Sequence, residues 1–402
     1  MILPLSWKNI WRSKRRSFVV IGAIIIGVWA LIFMIAFYNS FGDAFVRNAV
    51  NHEHSHIQVH NPEYLADPKI DFVLDDITTL ERRVAGDPIV KAYSSRVKVN
   101  GMIASTKTST GIQVYGVEPE LEARTTELDS QLVAGSYFEK VSRNPILISA
   151  KLADKLKVKI RSKIVLTFQD VDNNITAASY RIEGIFDTKS PKINESVVYV
   201  KKEDISDLVG VYKPHELAVL LKNGDNISSY RNDLDAITDN KVRTYKEVAP
   251  EFNLMEESSN MTKLILTIII MLALLFGIVN TMLMAVLERT KEIGMLRSIG
   301  MHKRKVFGMI VLETLLLGII SGPVGLLLGF ITIAWLGNTG LDMSMYADAL
   351  KEYGYEAIFY PQIDTDTYFL LMMVVIVTAL IGAIYPAIKA ISLNPLEAIR
   401  KL

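Results

Sequence analysis

Four apolar runs, at 18–41, 264–287, 306–336 and 368–387, constrain this chain more than any other feature. Each can cross a hydrocarbon core, which takes roughly 20 residues. Lys14, Arg15 and Arg16 precede the first run as they would in a signal peptide. Its apolar stretch, however, far exceeds the roughly 7–15 residues of a cleaved leader. It reads as an uncleaved anchor. The expected fold is therefore membrane α-helical, with four transmembrane helices and a large α+β domain inserted between helices 1 and 2.

Orientation follows from lysine and arginine in the short loops. Lys8, Arg12, Lys14, Arg15 and Arg16 precede the first run, and 288–305 carries six basic residues. The loop at 337–366 has Lys351 beside Asp342, Asp348, Glu352, Glu356, Asp364 and Asp366. Both termini and 288–305 are thus expected in the cytosol, with 42–260 and the acidic loop outside. A net charge of +1 argues against nucleic acid as a partner, since phosphate binding needs a basic surface. The chain has no cysteine, which excludes disulfides, thiolate metal sites and thiol catalysis.

The long insertion is rich in strand signals. Residues 112–117, 146–149, 164–168, 180–186, 196–200 and 217–221 carry β-branched and aromatic side chains between turn formers. Two helices stand out by period, one on Ile77, Leu80 and Val84, the other on Ile227, Tyr230 and Leu234, extended by Ile237. Strands near 56–60 and 96–99 flank the first helix, and strands at 217–221 and 241–245 flank the second. The pattern suggests two strand–helix–strand units, near the membrane, around a β-rich insert far from it. Phe41, Phe45 and Ala49 continue the first helix outward over 39–51. After Pro250, 251–263 permits a second helical stalk. His52, His54 and His56 alternate, so on a strand they could share a face and bind zinc or copper. If the segment is helical, only His52 and His56 share a face, and the blander expectation is polar surface.

Between the second and third runs lies Glu288-Arg289-Thr290-Lys291-Glu292-Ile293-Gly294-Met295-Leu296-Arg297-Ser298-Ile299-Gly300. Ile293, Leu296 and Ile299 form an apolar stripe among charges, and Gly300 is placed to end the helix in a left-handed conformation. An amphipathic helix on lipid headgroups would need only basic residues and an apolar face. Gly294, Glu288 and Glu292 suit a protein-docking helix better.

This stretch resembles the E-R-x-x-E-I-G-x-L-R-x-x-G motif of MacB/FtsX-type ABC-transporter permeases, a mechanotransmission (type VII) family. Trp7-Lys8-Asn9-Ile10-Trp11-Arg12 is similar to the family's amphipathic start, and Asn394-Pro395-Leu396-Glu397-Ala398-Ile399-Arg400 to its C-terminal motif. The strand His56-Ile57-Gln58-Val59-His60 and the length look most like the Lol-type lipoprotein-releasing permeases. The resemblance implies a non-catalytic subunit of the bacterial inner membrane. A cytosolic ABC ATPase dimer would hold ATP and magnesium, and no cofactor would bind this chain directly. Consistent with that, no G-x-x-x-x-G-K-[ST] loop is present.

The resemblance assigns ATPase coupling to Glu288, Arg289, Glu292, Ile293, Gly294, Leu296, Arg297 and Gly300, with Ile293 and Leu296 in the ATPase groove. Trp7, Trp11, Arg15 and Arg16 are expected at the membrane interface. The resulting partition is a cytosolic segment at 1–16, spans at 17–41, 264–287, 306–336 and 367–388, the outer domain at 42–260, the coupling helix at 288–305, an outer loop at 337–366 and a tail at 389–402. Gly318, Gly322, Gly325 and Gly329 let another helix approach span three closely, either within the chain or in a second permease subunit, identical or related. Pro323 would kink that span locally. Asn280 is expected to bond between helices. Glu313, the acid inside a run, is expected to pair with a basic loop residue rather than relay protons. The implied substrate is a lipoprotein or another extracytoplasmic molecule, with small-molecule or peptide efflux second. A transmembrane ligand sensor is the alternative from another class, and would need a cytosolic output domain. A secondary transporter would need more intramembrane charge.

Overall fold

The computed structural model describes residues 2–139, 144–355 and 357–392. The C-terminal motif at Asn394–Arg400 lies outside the described residues. In chain order the elements begin with helices α1 (Ile2–Arg12) and α2 (Lys14–Ala49), then β1 (Ile57–His60), α3 (Ile77–Ala85), β2 (Val90–Ala104), β3 (Ser109–Val117) and α4 (Pro119–Thr126). Next come β4 (Leu132–Gly135), β5 (Pro145–Ser149), α5 (Ala150–Leu156), β6 (Lys163–Gln169), β7 (Ile175–Phe186), α6 (Pro191–Ser196), β8 (Val197–Lys201) and α7 (Lys202–Val209). The chain continues through β9 (Glu216–Leu221), α8 (Ile227–Asp235), β10 (Lys241–Thr244), α9 (Tyr245–Val248), α10 (Glu251–Glu288), α11 (Thr290–Ser298) and α12 (Lys303–Thr339). It ends with β11 (Leu341–Asp342), α13 (Ala347–Glu352), β12 (Ile358–Phe359) and α14 (Thr365–Ser392). Two compact units result, one helical (2–42, 256–342 and 358–392) and one sheet-rich (43–255 and 343–357).

In the sheet-rich unit the two strand–helix–strand pieces, β1–α3–β2 and β9–α8–β10, interleave. Their strands lie in the order β10-β1-β9-β2, all antiparallel. Leu80 and Val84 of α3 and Tyr230 and Leu234 of α8 pack with Ile57, Val59, Leu217 and Val219 of the strands. Val50, Leu220, Tyr245, Ala249 and Phe252 form a second apolar cluster in the same unit. The second cluster explains why β9 is buried along its whole length instead of alternating, whereas the matching face of β1 carries Gln58 and His60, buried against the His54 carbonyl and Glu216. Helix α8 stops at Asp235, and Ile237, expected to extend it, is half exposed.

β2 is far longer than the strand expected near 96–99. Its first half pairs with β9, and its second half leaves that sheet. There β2-β3-β8-β5-β7-β6 pair in sequence and β6 returns to β2, closing a six-stranded barrel. Closure removes free edges. Val97, Ile103, Val114, Ile146, Ile148, Leu166, Ile182 and Val198 are among the side chains of its core. The insert is therefore a barrel built on the continuation of a strand from the α/β sheet.

Helices α2 and α10 are 36 and 38 residues long, well past the apolar runs that seed them. The glycine row of α12 divides its work within the chain. A Cβ at Gly318 would lie 3.1 Å from Ala379 of α14, and one at Gly322 would lie 3.0 Å from Met372. At Gly325 and Gly329 it would press on Val28 and Ile32 of α2, at 2.9 and 2.5 Å. The row is thus used for intrachain packing. α12 continues as one helix through Pro323. Asn280 faces outward from α10, so the bond to a neighbouring helix expected of it is not found among the described residues.

Candidate functional site

The charged stretch between the second and third spans forms α11, separated from α10 by Arg289, whose backbone leaves the helix (φ −100°, ψ 18°). The end of α11 is a Schellman turn. Met301 N–H donates to the Leu296 carbonyl at 3.0 Å and Gly300 N–H to Arg297 at 3.1 Å, with Gly300 at φ +103°. That φ is why the position takes glycine.

Glu288, Arg289, Glu292 and Arg297 of the motif proposed for coupling are all engaged within the helical unit. Arg16 donates to Glu288 at 2.8 Å, and Arg12 forms an ion pair with Glu292. Arg289 reaches Glu313 of α12 at 3.0 Å, and Arg297 donates to the Ile391 carbonyl at 3.2 Å. Glu313 thus has the loop-side basic partner expected of it. Ile293 and Gly294 are buried, and Ile293 packs into the helical core. The apolar stripe is therefore not a single outward face, and Ile293, expected in the ATPase groove, points inward. What α11 exposes is Met295 and Ile299, the latter 86% exposed, together with Lys291 and Ser298. Leu296 is half-buried.

Beside α11 lies α1, held to α12 by Ser6, whose hydroxyl donates to the Met309 carbonyl at 3.1 Å. Ile10 is buried, Trp7 is exposed, and Trp7 and Trp11 meet edge to face at 6.0 Å. Arg15 is exposed, whereas Arg16 is drawn to Glu288. A groove of about 460 Å³ runs between α1 and α11, lined by Leu5, Asn9, Arg12, Glu292, Leu296 and Ile299 among others. The geometry suits a mechanical handle, pinned on one side and apolar on the other. Breaking the buried Arg289–Glu313 pair would strand a charge, at a cost of about 3–5 kcal/mol. Arg289→Met or Glu313→Leu alone should lower stability by about that much, and the double change should restore most of it. A denaturation cycle in detergent checks this.

A second polar cluster sits in the sheet-rich unit, where β2 crosses from sheet to barrel. Arg96, almost wholly buried, donates to both carboxylate oxygens of Glu122 at 2.8 and 3.0 Å and to Glu216 at 2.8 Å. Lys98 and His60 converge on the other oxygen of Glu216, His60 at 3.0 Å. Burial would raise the Glu216 carboxyl, but Lys98, His60 and Arg96 hold it well below the usual range. Burial pulls His60 down in spite of Glu216, so the imidazole is neutral and donates from Nε2.

Adjacent to this cluster, Val50–His54 form one π-helical turn at the end of α2. His52 and His54 therefore lie neither on a strand nor on polar surface, and His56, half-buried, directly precedes β1. His52 and His54 are buried. His52 Nδ1 lies 3.0 Å from the Thr126 carbonyl and 2.7 Å from Gln131, His54 meets Glu53 at 3.1 Å, and His56 accepts from Leu221 N–H at 3.1 Å. Among the described residues no three His, Asp or Glu gather to hold a metal.

Glu53 also accepts from Ser190 at 2.7 Å and pairs with Lys192 at 3.1 Å. Burial would raise its carboxyl, but His54, Lys192 and Ser190 bring it down from 4.5 to about 2. A carboxyl depressed by folding stabilises above its unfolded value and loses that contribution as pH falls. Glu53→Gln should therefore cost about 3 kcal/mol at pH 7. The two proteins should converge as pH drops from 4.5 towards about 2. Urea titrations across that range measure the difference. Sequence reading missed Glu53, Arg96, Glu122 and Glu216. The available signal was a charged residue inside or beside an apolar strand, as in Ser95-Arg96-Val97 and His215-Glu216-Leu217.

Comparison with known proteins locates both units. Residues 17–237 match the family model for the MacB-like periplasmic core domain, and 264–395 match the FtsX-like permease C-terminal model. Among curated proteins, the chain is 23% identical to the lipoprotein-releasing system transmembrane protein LolC of Neisseria meningitidis serogroup B, over 97% of this chain and 96% of that one. It is 21% identical to the macrolide export ATP-binding/permease protein MacB of Bdellovibrio bacteriovorus, over 83% of this chain and 50% of that one. Among solved structures, the periplasmic region of MacB from Actinobacillus actinomycetemcomitans aligns at a TM-score of 0.38 and 8% identity, covering 52% of this chain and 97% of that one.

Proposed function

The chain belongs to the MacB/FtsX-type family of ABC-transporter permeases, and we propose that it transmits ATP-driven motion from a cytosolic ATPase dimer to its extracytoplasmic domain to release lipoproteins from the inner membrane. The observation that carries the mechanical part is the mounting of α11. The Arg12–Glu292 pair, the Arg289–Glu313 pair at its N-cap, the Arg297 bond to the Ile391 carbonyl and a buried Ile293 fix it to the helical unit, while Met295 and Ile299 remain open to a partner. A handle of this kind moves its own unit when pulled. Support for lipoprotein as the substrate comes from the relative named for lipoprotein release, which aligns nearly end to end. The MacB relative, named for macrolide export, supports efflux as the second reading.

The second permease subunit packs along α10 rather than along the glycine row, which α2 and α14 already fill. Only 11% of the most apolar window of α10 is buried within the chain, against 33%, 39% and 33% for the other three spans. Asn280 lies exposed on that helix. An amide facing lipid is unfavourable unless a neighbouring helix bonds it.

One experiment covers substrate and arrangement. Depleting the protein should leave lipoproteins in the inner membrane, and an unchanged distribution would shift the reading to efflux. The chain lacks cysteine, so single replacements label cleanly. A cysteine at Lys107 should react with an impermeant thiol reagent in intact cells once the outer membrane is opened, and one at Lys303 should not. The reverse pattern would invert the orientation. Asn280→Cys should crosslink to the second permease, and its failure to do so at any crosslinker length would place that subunit elsewhere.

A further inference from the structure

The segment between the third and fourth spans is an ordered element that presents bare apolar side chains. β11 and β12 close its ends, with Leu341 opposite Phe359 and Asp342 opposite Ile358. Inside that clasp, Met343 N–H donates to the Ala357 carbonyl at 2.7 Å and Tyr355 N–H to Leu350 at 2.9 Å. Asn48, at the end of α2, donates to the Gly354 carbonyl at 2.7 Å, and the Tyr355 ring lies 5.7 Å from Phe45. Despite this fixing, Met345 is 89% exposed, Tyr346 57% and Tyr353 69%. The packing that holds the backbone leaves these three side chains outside.

We propose that this segment rests in the headgroup layer of the leaflet on the sheet-rich side, with Met345, Tyr346 and Tyr353 as its lipid contacts. Chain geometry supports a lipid surface. Met345 follows the end of α12 at Thr339 by six residues. An extended residue spans at most about 3.3–3.6 Å, so it cannot stray beyond roughly 20 Å from that helix end. Exposed apolar side chains also recur along the chain. Trp335 near the end of α12, then Met345 and Tyr346, then Tyr353, Ile358 and Tyr360 are all exposed, before Phe369 and Leu370 open the next span. Tyrosine and tryptophan favour the headgroup level because a ring with one polar edge suits a boundary that is apolar on one side and wet on the other.

The segment's charge selects among lipids. Asp342, Glu352, Asp364 and Asp366 surround the exposed patch in the sequence, so zwitterionic headgroups suit it better than anionic ones. This inference rests on the membrane spans and is independent of which substrate is released.

The test uses the full-length chain in nanodiscs, with a polarity-sensitive fluorophore on Met345→Cys or Tyr353→Cys and on Lys107→Cys as the reference. Lipids carrying a nitroxide on the headgroup or high on the acyl chain should quench the first two sites several-fold more than the reference. A nitroxide near the chain end should quench them less. Raising the anionic lipid fraction should weaken the effect. Quenching at residues 345 and 353 no greater than at 107 would overturn the proposal. So would a signal insensitive to nitroxide lipids that responds only to an added protein partner, which would identify a protein-docking surface instead.

Discussion

Changing Met295 and Ile299 together to aspartate should detach the ATPase while the permease stays folded and membrane-inserted. Both side chains are exposed on α11, so the substitution leaves the chain's own core intact. In the complex they would be buried against the ATPase, where each apolar side chain is worth about 1.5–3 kcal/mol. Losing both, and placing two charges in the contact, weakens binding by at least about 3 kcal/mol, more than a hundredfold in Kd. Glu292→Gln provides the contrast. Its pair with Arg12 is partly exposed, and such pairs contribute about 0–1 kcal/mol, so copurification should survive. Ile293→Asp provides the other control. That side chain is 5% exposed in the helical core, and its replacement should disturb the permease itself. Undiminished copurification of the ATPase with the Met295/Ile299 double variant would remove α11 as the docking handle.

The difference between Ile293 and Ile299 marks where sequence reading stops. Spacing places Ile293, Leu296 and Ile299 on one stripe, but a stripe does not reveal which neighbour claims it. The tertiary structure gives Ile293 to the bundle and leaves Ile299 free. The charges follow the same rule. Glu288, Arg289, Glu292 and Arg297 carry the resemblance, yet their partners Arg16, Glu313, Arg12 and the Ile391 carbonyl lie far away in sequence. Hydropathy located the four long apolar helices because a run of about 20 apolar residues is a local property. Strand positions were equally local. The barrel was not legible, because its closure depends on β6 returning to β2, a pairing that no single strand encodes. The histidines misled for a similar reason. Their alternation suits a strand, but the chain enters a π turn at Val50, so the rings bond to different elements.

Inserting Gly-Gly-Ser-Gly after Arg47 should abolish substrate release while the complex still assembles and hydrolyses ATP. Arg47 lies in the last turn of α2, an uninterrupted helix from Lys14 to Ala49. A continuous helix passes displacement along its axis because every residue is tied to its neighbours four positions away. Glycine costs about 1 kcal/mol per helical site relative to alanine and frees the backbone, so four flexible residues absorb the stroke. The insertion point adjoins the turn at Val50–His54, whose Glu53 is held by Ser190 and Lys192 and whose backbone carbonyl at Glu53 accepts from Arg96 at 3.4 Å. Motion arriving along α2 would therefore be delivered to α6 and to the charged crossing of β2 within the sheet-rich unit. An equally long insertion of Ala-Glu-Ala-Lys separates stiffness from length, since it keeps the helix. If release depends on a stiff connection, the alanine-rich variant should retain more of it than the glycine variant. A pathway through the spans needs no stiff stalk. Full transport by the glycine variant, with its ATPase intact, would therefore favour a through-membrane route and end the lever interpretation.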